Sequence, residues 1–190
     1  AGWTILDRGG GPESSKSSRV SIRPHVSGAS AAVRTTFNKA LDALARRARS
    51  VRELERWLAQ REVAPGDIAP VLEELMVMGL LDDAAYARAF ARSRAIGRGL
   101  SPRRIQAELG RRGVAREVAS AAIAEVMADE DVDERSLVEA AARRKVRSLA
   151  ALEPDVRRRR LYGFLSRRGF ATVVVREAVD RVMRTDGRDG

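Results

Sequence analysis

A chain of 190 residues with no cysteine has no disulfide framework, no thiol chemistry and no cysteine-based metal site. Its residues are 44% hydrophobic but only 4% aromatic, which supplies Leu, Val, Ile and Ala for helix-on-helix cores and too little bulk for a large sandwich or barrel. A formal net charge of +10 and a pI near 11.2 point to an anionic partner, nucleic acid first among them.

Residues 1–33 are rich in Gly, Ser and Arg and read as a disordered tail. The single histidine, His25, lies in it, which argues against histidine-based metal or acid–base sites. From about 34 to 184 the chain reads as helix throughout, broken by Gly, Pro and Asp. A first unit, 34–81, opens with a helix over about 35–48, and Pro65-Gly66 marks a later helix start. A second unit, 82–130, opens where Asp82 caps "DAAYARAFARSRA". Gly97 and Gly99 end that helix, Ser101 caps the next with Pro102 at its first position, and Gly113 closes it. A further helix runs over about 115–128. A third unit, 131–190, opens with a helix over about 134–149, capped by the acidic "DEDVDE" at 129–134, which lacks the central glycine of a calcium loop. Glu153-Pro154 starts the next helix, and "RTDGRDG" reads as a frayed end.

The units repeat. Leu54, Leu58, Val63, Val71, Leu72 and Leu75 match Ile105, Leu109, Val114, Ala122, Ile123 and Val126, which match Leu161, Leu165, Phe170, Ala178, Val179 and Val182. The repeats start 51 and then 56 residues apart, with no internal gap. The expected fold is therefore all-α: three tandem three-helix repeats, each burying a small core, in an elongated array.

Charge follows this organisation. Residues 82–114 sum to +5 and 133–170 to +6, whereas 64–81 carry −3 and 115–132 carry −4. On a helical wheel with Ile105 and Leu109 inward, Arg103, Arg104 and Arg111 face out and Arg112 falls at the apolar edge. Glu108 lies four residues from both Arg104 and Arg112 and can neutralise either. The offset of 56 carries the four arginines onto Arg159, Arg160, Arg167 and Arg168, while the matching positions of the first unit are Arg52, Glu53, Gln60 and Arg61. An outward arginine is usually only solvated, but the recurrence of four marks a functional face. The candidate contacts are Arg103, Arg104, Arg111, Arg159, Arg160 and Arg167, with Arg88, Arg92, Arg94 and Arg98 as a second tier. Trp57 and Tyr162 read as packing at the core edge, and Tyr86 and Phe90 as core of the helix they share. No catalytic residue, metal ligand or cofactor is expected: the carboxylates lie among arginines or at helix starts, and "GRG" at 97–99 follows no strand and lacks the Lys-Ser/Thr of a phosphate loop.

"GLLDDAAYARAFARSRA" followed by "GRGLSPRRIQAELGRRGV", with "RSVRELERWLAQREV" before and "RRRRLYGFLSRRGF" after, resembles the RecX family of bacterial recombination regulators over about residues 35–184. The chain reads as cytoplasmic from its composition, and the resemblance implies a curved, elongated monomer of three tandem three-helix repeats that is not an enzyme. It implies binding of the RecA recombinase, above all RecA filaments on single-stranded DNA, and inhibition of its ATPase, strand-exchange and co-protease activities, which modulates recombination and the SOS response. Some members also bind DNA directly. The first unit departs from the pattern, with "AQREVAPG" where the other two have Arg-Arg-Gly. The alternative reading is a DNA-binding regulator of helix-turn-helix type. Such a reader needs amides or hydroxyls beside arginine to tell bases apart, and Gln106 is the sole amide on its helix. No membrane span is expected, since no apolar run nears about 18 residues.

Overall fold

The computed structural model describes residues 30–186; most of the expected tail, His25 and the last four residues lie outside them. Among the described residues there are nine α-helices and no strand. Module one holds α1 (Ala31–Arg46), α2 (Val51–Ala59) and α3 (Pro65–Val77). Module two holds α4 (Asp83–Arg92), a π-helical turn over Ser93–Gly97, α5 (Pro102–Arg111) and α6 (Arg116–Asp129). Module three holds α7 (Glu134–Arg147), α8 (Pro154–Arg167) and α9 (Thr172–Asp186). Within each module the first helix packs on the third and the second lies against the pair.

Local chemistry sets the boundaries. The Asp82 carboxylate accepts from the backbone N–H groups of Ala84 and Ala85, and Ser101 Oγ from that of Arg104. Asp133 and Ser136 form a reciprocal capping box, and Pro65, Pro102 and Pro154 each occupy a first helical position, where no amide hydrogen is needed. Asp133 sits below the usual carboxylate range because it accepts from Ser136. Two ends differ from expectation. The first helix starts at Ala31, because Ser30 caps it by accepting from Val33. At the other end, α9 carries its helix through Asp186.

The three apolar sets point inward: all eighteen positions are buried except Val63, which is half-buried. The offset of 51 extends to the first helices, where Ala87, Ala91 and Ala95 match Val138, Ala142 and Val146, all buried. The additional length in module three falls between α7 and α8. An extra first turn of α8 absorbs most of it: Pro154 lies four residues before the position matching Pro102. Module one has its own core around Phe37, Leu54, Leu58 and Leu75. The buried residues of modules two and three run together as one cluster, so the expectation of a separate core per module holds only for the first. They join because Gly99, at the end of the α4–α5 connection, lets the Ala141 methyl of α7 approach its backbone.

Candidate partner-binding surface

The modules meet at two joints built alike. At the first, the buried Ser50 that caps α2 donates from Oγ to the carbonyl of Arg112, at 2.6 Å. At the second, the backbone N–H of the buried Ser101 that caps α5 donates to the carbonyl of Arg168, at 3.1 Å. Each joint then needs a glycine. Gly113 has φ +85° and a Cβ there would lie 2.3 Å from Cβ of Arg52; Gly169 has φ +88° and a Cβ would lie 2.7 Å from Cβ of Arg104 and Oγ of Ser101. The Arg-Arg-Gly of modules two and three is therefore the socket into which the preceding module's second helix plugs.

The side chains at the two joints differ in charge. Arg112 donates to Glu53 Oε1 at 2.5 Å and to the Tyr86 hydroxyl at 3.2 Å, and that hydroxyl donates to Glu53 Oε2 at 3.2 Å. The backbone N–H of Val51 donates to Asp83 at 2.9 Å. Burial raises the Tyr86 pKa, with the Glu53 charge adding to it, and burial raises that of Asp83. Phe90 lies between the Arg94 and Arg112 guanidiniums, 4.5 and 4.9 Å from its ring centre. Tyr86 and Phe90 are thus half-buried: they pack against the core from α4, at its edge, and also face the joint.

At the second joint Arg104 occupies the place of Glu53, and Phe164 the place of Glu108. Arg104 Nη1 donates to the carbonyl of Arg167 at 2.5 Å, and Arg168 Nη1 to that of Gly99 at 3.3 Å. Arg168 and Lys145 cover the Phe164 ring at 4.3 and 5.6 Å. Burial lowers the Arg168 pKa, and the neighbouring Arg144 and Arg104 charges lower it further. A groove of about 640 Å³ opens here, lined by Arg98, Arg104, Arg144, Lys145, Arg167 and Arg168, with Glu108 its one carboxylate.

The eight candidates sort by this geometry. Arg103, Arg104 and Arg111 are exposed on α5 and line a shallow concavity of about 420 Å³ with Ser166, Gly169 and Phe170 of module three. Arg159, Arg160 and Arg167 are exposed on α8 and line another, of about 480 Å³, with Lys145 and Phe164. Arg104 and Arg167 each belong also to the central groove, and Arg98 joins them there. The structure thus brings seven of the eight onto one continuous basic tract across the second joint. Arg94 is set apart: its guanidinium is largely covered and pairs with Glu108 at 3.2 Å. Glu108 therefore neutralises Arg94 and Arg104, and not Arg112. Of the second tier, Arg88 pairs with Glu125, and Arg92 with Asp129 and Glu130. The acidity of α6 is spent on the arginines of α4. Gln106 bridges inward, donating to the Arg116 carbonyl and accepting from Ser120, so the amide that base readout would require is occupied. Sequence reasoning missed Arg168 and Phe164 as groove residues; the repeat alignment carried the signal, in Arg104 standing where module one has Glu53 and Phe164 where module two has Glu108.

Fold and joints together define an all-helical protein of three tandem three-helix repeats. Models of the first, second and third three-helix domains of RecX match residues 37–75, 82–123 and 133–179. The chain is 43% identical over 164 residues to a "Regulatory protein RecX" of Halorhodospira halophila, covering 86% of this chain and 98% of that one. It is 34% identical over 145 residues to a protein of the same name from Thermobifida fusca, covering 76% of each. The crystal structure of RecX from Lactobacillus salivarius superposes with a TM-score of 0.65 at 17% identity, over 80% of this chain and 96% of that one. The chain belongs to the RecX family of regulatory proteins. Among the described residues no helix is long and apolar enough to cross a membrane.

Proposed function

We propose that this protein is a cytoplasmic, non-enzymatic regulator that binds RecA filaments on single-stranded DNA as a monomer and inhibits their ATPase, strand-exchange and co-protease activities. Family membership supports a regulatory role. The observation that carries the specific reading is the basic tract on modules two and three: two arginine faces, on α5 and α8, held side by side by a glycine socket. A repeated basic face suits a repeated anionic partner, because several modest contacts then act together through effective concentration. Arg103, Arg104 and Arg111 form one contact set and Arg159, Arg160 and Arg167 the other, directed at filament carboxylates or DNA phosphates. Bridging of neighbouring protomers would oppose the movements that accompany ATP turnover.

The test is a RecA DNA-dependent ATPase assay titrated with this protein. Wild type inhibits. Reversing Arg103, Arg104 and Arg111 to Glu raises the half-inhibiting concentration by about tenfold or more, the equivalent of about 1.4 kcal/mol of binding, with helicity by circular dichroism unchanged. Reversing Arg159, Arg160 and Arg167 does the same. Absence of inhibition by folded wild type removes the reading.

A further inference from the structure

At the first joint, the Arg112 guanidinium is met by a carboxylate of the preceding module, Glu53. At the second, the matching Arg168 meets Arg104 instead, and the carboxylate at the Glu108 position has become Phe164. Arg144 of α7 adds another cation. A methyl group placed on Gly99 would lie 3.0 Å from Nη2 of Arg144 and 3.6 Å from Nη1 of Arg168, so the two guanidiniums stand side by side over that residue. Among the described residues neither Arg144, Arg168 nor Arg98 forms an ion pair with a carboxylate, and Glu108 is taken by Arg94 and Arg104. Like charges held this close repel, which is why Arg104 and Arg144 both depress the Arg168 pKa. Glu108, shared by Arg94 and Arg104, is the one carboxylate of the groove, so its cations outnumber its anions.

We propose that the groove at the second joint binds a phosphate group between Arg104 of module two and Arg144 and Arg168 of module three, and that the bound phosphate takes the bridging role that Glu53 plays at the first joint. The donor set favours phosphate over a carboxylate. Guanidiniums from three different helices converge, with Lys145 beside them, and a phosphate presents at least three oxygens and more than one charge in three dimensions, where a carboxylate presents two oxygens in one plane. Since the cradle is divided between modules, occupancy fixes their relative position. The phosphate group can be that of a small anion or one in a nucleic-acid backbone. Arg104 belongs also to the outward contact set, but Arg144 and Arg168 do not, so phosphate binding and filament inhibition can fail separately.

Thermal unfolding of the full chain, in phosphate and in chloride at equal ionic strength and pH, tests it. At about ten times its Kd, phosphate raises the wild-type Tm by about 3 °C over chloride. Arg144→Ala abolishes that difference. Arg104→Glu, which restores the charge pattern of the first joint, also abolishes it and leaves the Tm in chloride no lower than wild type. Equal wild-type Tm in the two salts, or a full phosphate response in both variants, overturns the proposal. Phosphorus NMR then separates the sources. Inorganic phosphate broadens on adding wild type and not Arg144→Ala. Displacement by a single-stranded oligonucleotide assigns the cradle to backbone phosphate, and persistent broadening assigns it to a free phosphate; both outcomes support the site, and absence of broadening by wild type counts against it.

Discussion

Between modules one and two, Arg112 reaches back to Glu53; between modules two and three, Arg168 reaches back to Arg104. The backbone of the two joints is the same: a buried serine cap, a carbonyl it contacts, and a left-handed glycine that admits the neighbouring helix. The side chains differ: Arg104 stands where the first joint has Glu53, and Phe164 where module two has Glu108. The difference teaches that a repeated scaffold can keep one serine cap and one glycine socket at both joints while satisfying its cations at the first and leaving them in excess at the second. The closed joint satisfies its own cation with Glu53 and Tyr86. The open joint leaves cations over, and the exposed arginine faces of α5 and α8 extend from them. Module one, close to neutral on the matching face, lacks the paired arginines that modules two and three carry there.

The comparison breaks most sharply at Glu53. Its carboxylate has a side-chain exposure of 14% and holds Arg112, the Tyr86 hydroxyl and the backbone N–H of its own N-cap, Ser50. Replacing it by Ala leaves a half-buried guanidinium without its anion and removes half of a capping box, at a cost of about 2–4 kcal/mol in chemical denaturation. Arg104→Ala, the same change at the open joint, loses only an exposed ion pair and one bond to a carbonyl, and costs about 1 kcal/mol or less. Equal losses would show the two joints to be energetically alike. Glu53→Arg sharpens the contrast further: it reproduces the open joint's charge pattern, so the variant falls below the alanine in chloride and recovers in part when phosphate replaces chloride.

The sockets give the next effect. Ala at Gly113 or Gly169 meets both the left-handed backbone and the neighbouring helix, and each change costs about 1–3 kcal/mol. The two variants differ in what they disturb. Gly113→Ala pushes on Cβ of Arg52, in a module with its own core, and leaves the basic tract whole. Gly169→Ala pushes on Cβ of Arg104, an exposed member of the basic tract, at the joint of the two modules that share a core, and displaces the tract. At matched stability, RecA ATPase inhibition therefore falls for Gly169→Ala and holds for Gly113→Ala.

What could be read from the sequence, and what could not, follows from the range of the interactions. Caps at Asp82 and Ser101, proline starts and the apolar repeat are settled within a turn or two of helix, so they are legible in one dimension. The outward direction of Arg103, Arg104 and Arg111 is legible for the same reason. The joints are not. Glu53 and Arg112 lie 59 positions apart, and Arg104 and the Arg167 carbonyl 63, so a helical wheel can place each side chain on its own helix without saying what faces it. Hence Tyr86 and Phe90 read as core without their part in the joint, and Arg94 reads as a free cation when Glu108 covers it. Aligning the modules sets Glu53 against Arg104, but the meaning of that inverted charge appears only when Arg112 and Arg168 are seen at the opposite side.

The smallest effect lies at Asp83, which joins the closed joint by accepting from the backbone N–H of Val51. Burial, with the nearby Asp82 and Glu53 charges, outweighs that hydrogen bond and raises its pKa above the usual 3.8. A carboxyl whose folded pKa is raised favours folding when protonated, and that contribution is lost as pH rises from 3.8 through the higher folded value. At neutral pH the ionised Asp83 is therefore a small burden on the joint. Asp83→Asn keeps an oxygen to accept from Val51 and removes the charge, so it changes stability by no more than about 0.5 kcal/mol, in the stabilising direction at pH 7. The gain shrinks as pH falls through the folded pKa of Asp83. Denaturation of both proteins at pH 7 and pH 4 reads the difference directly, and a gain that grows on acidification would show that the Val51 hydrogen bond, and not burial, governs this carboxylate.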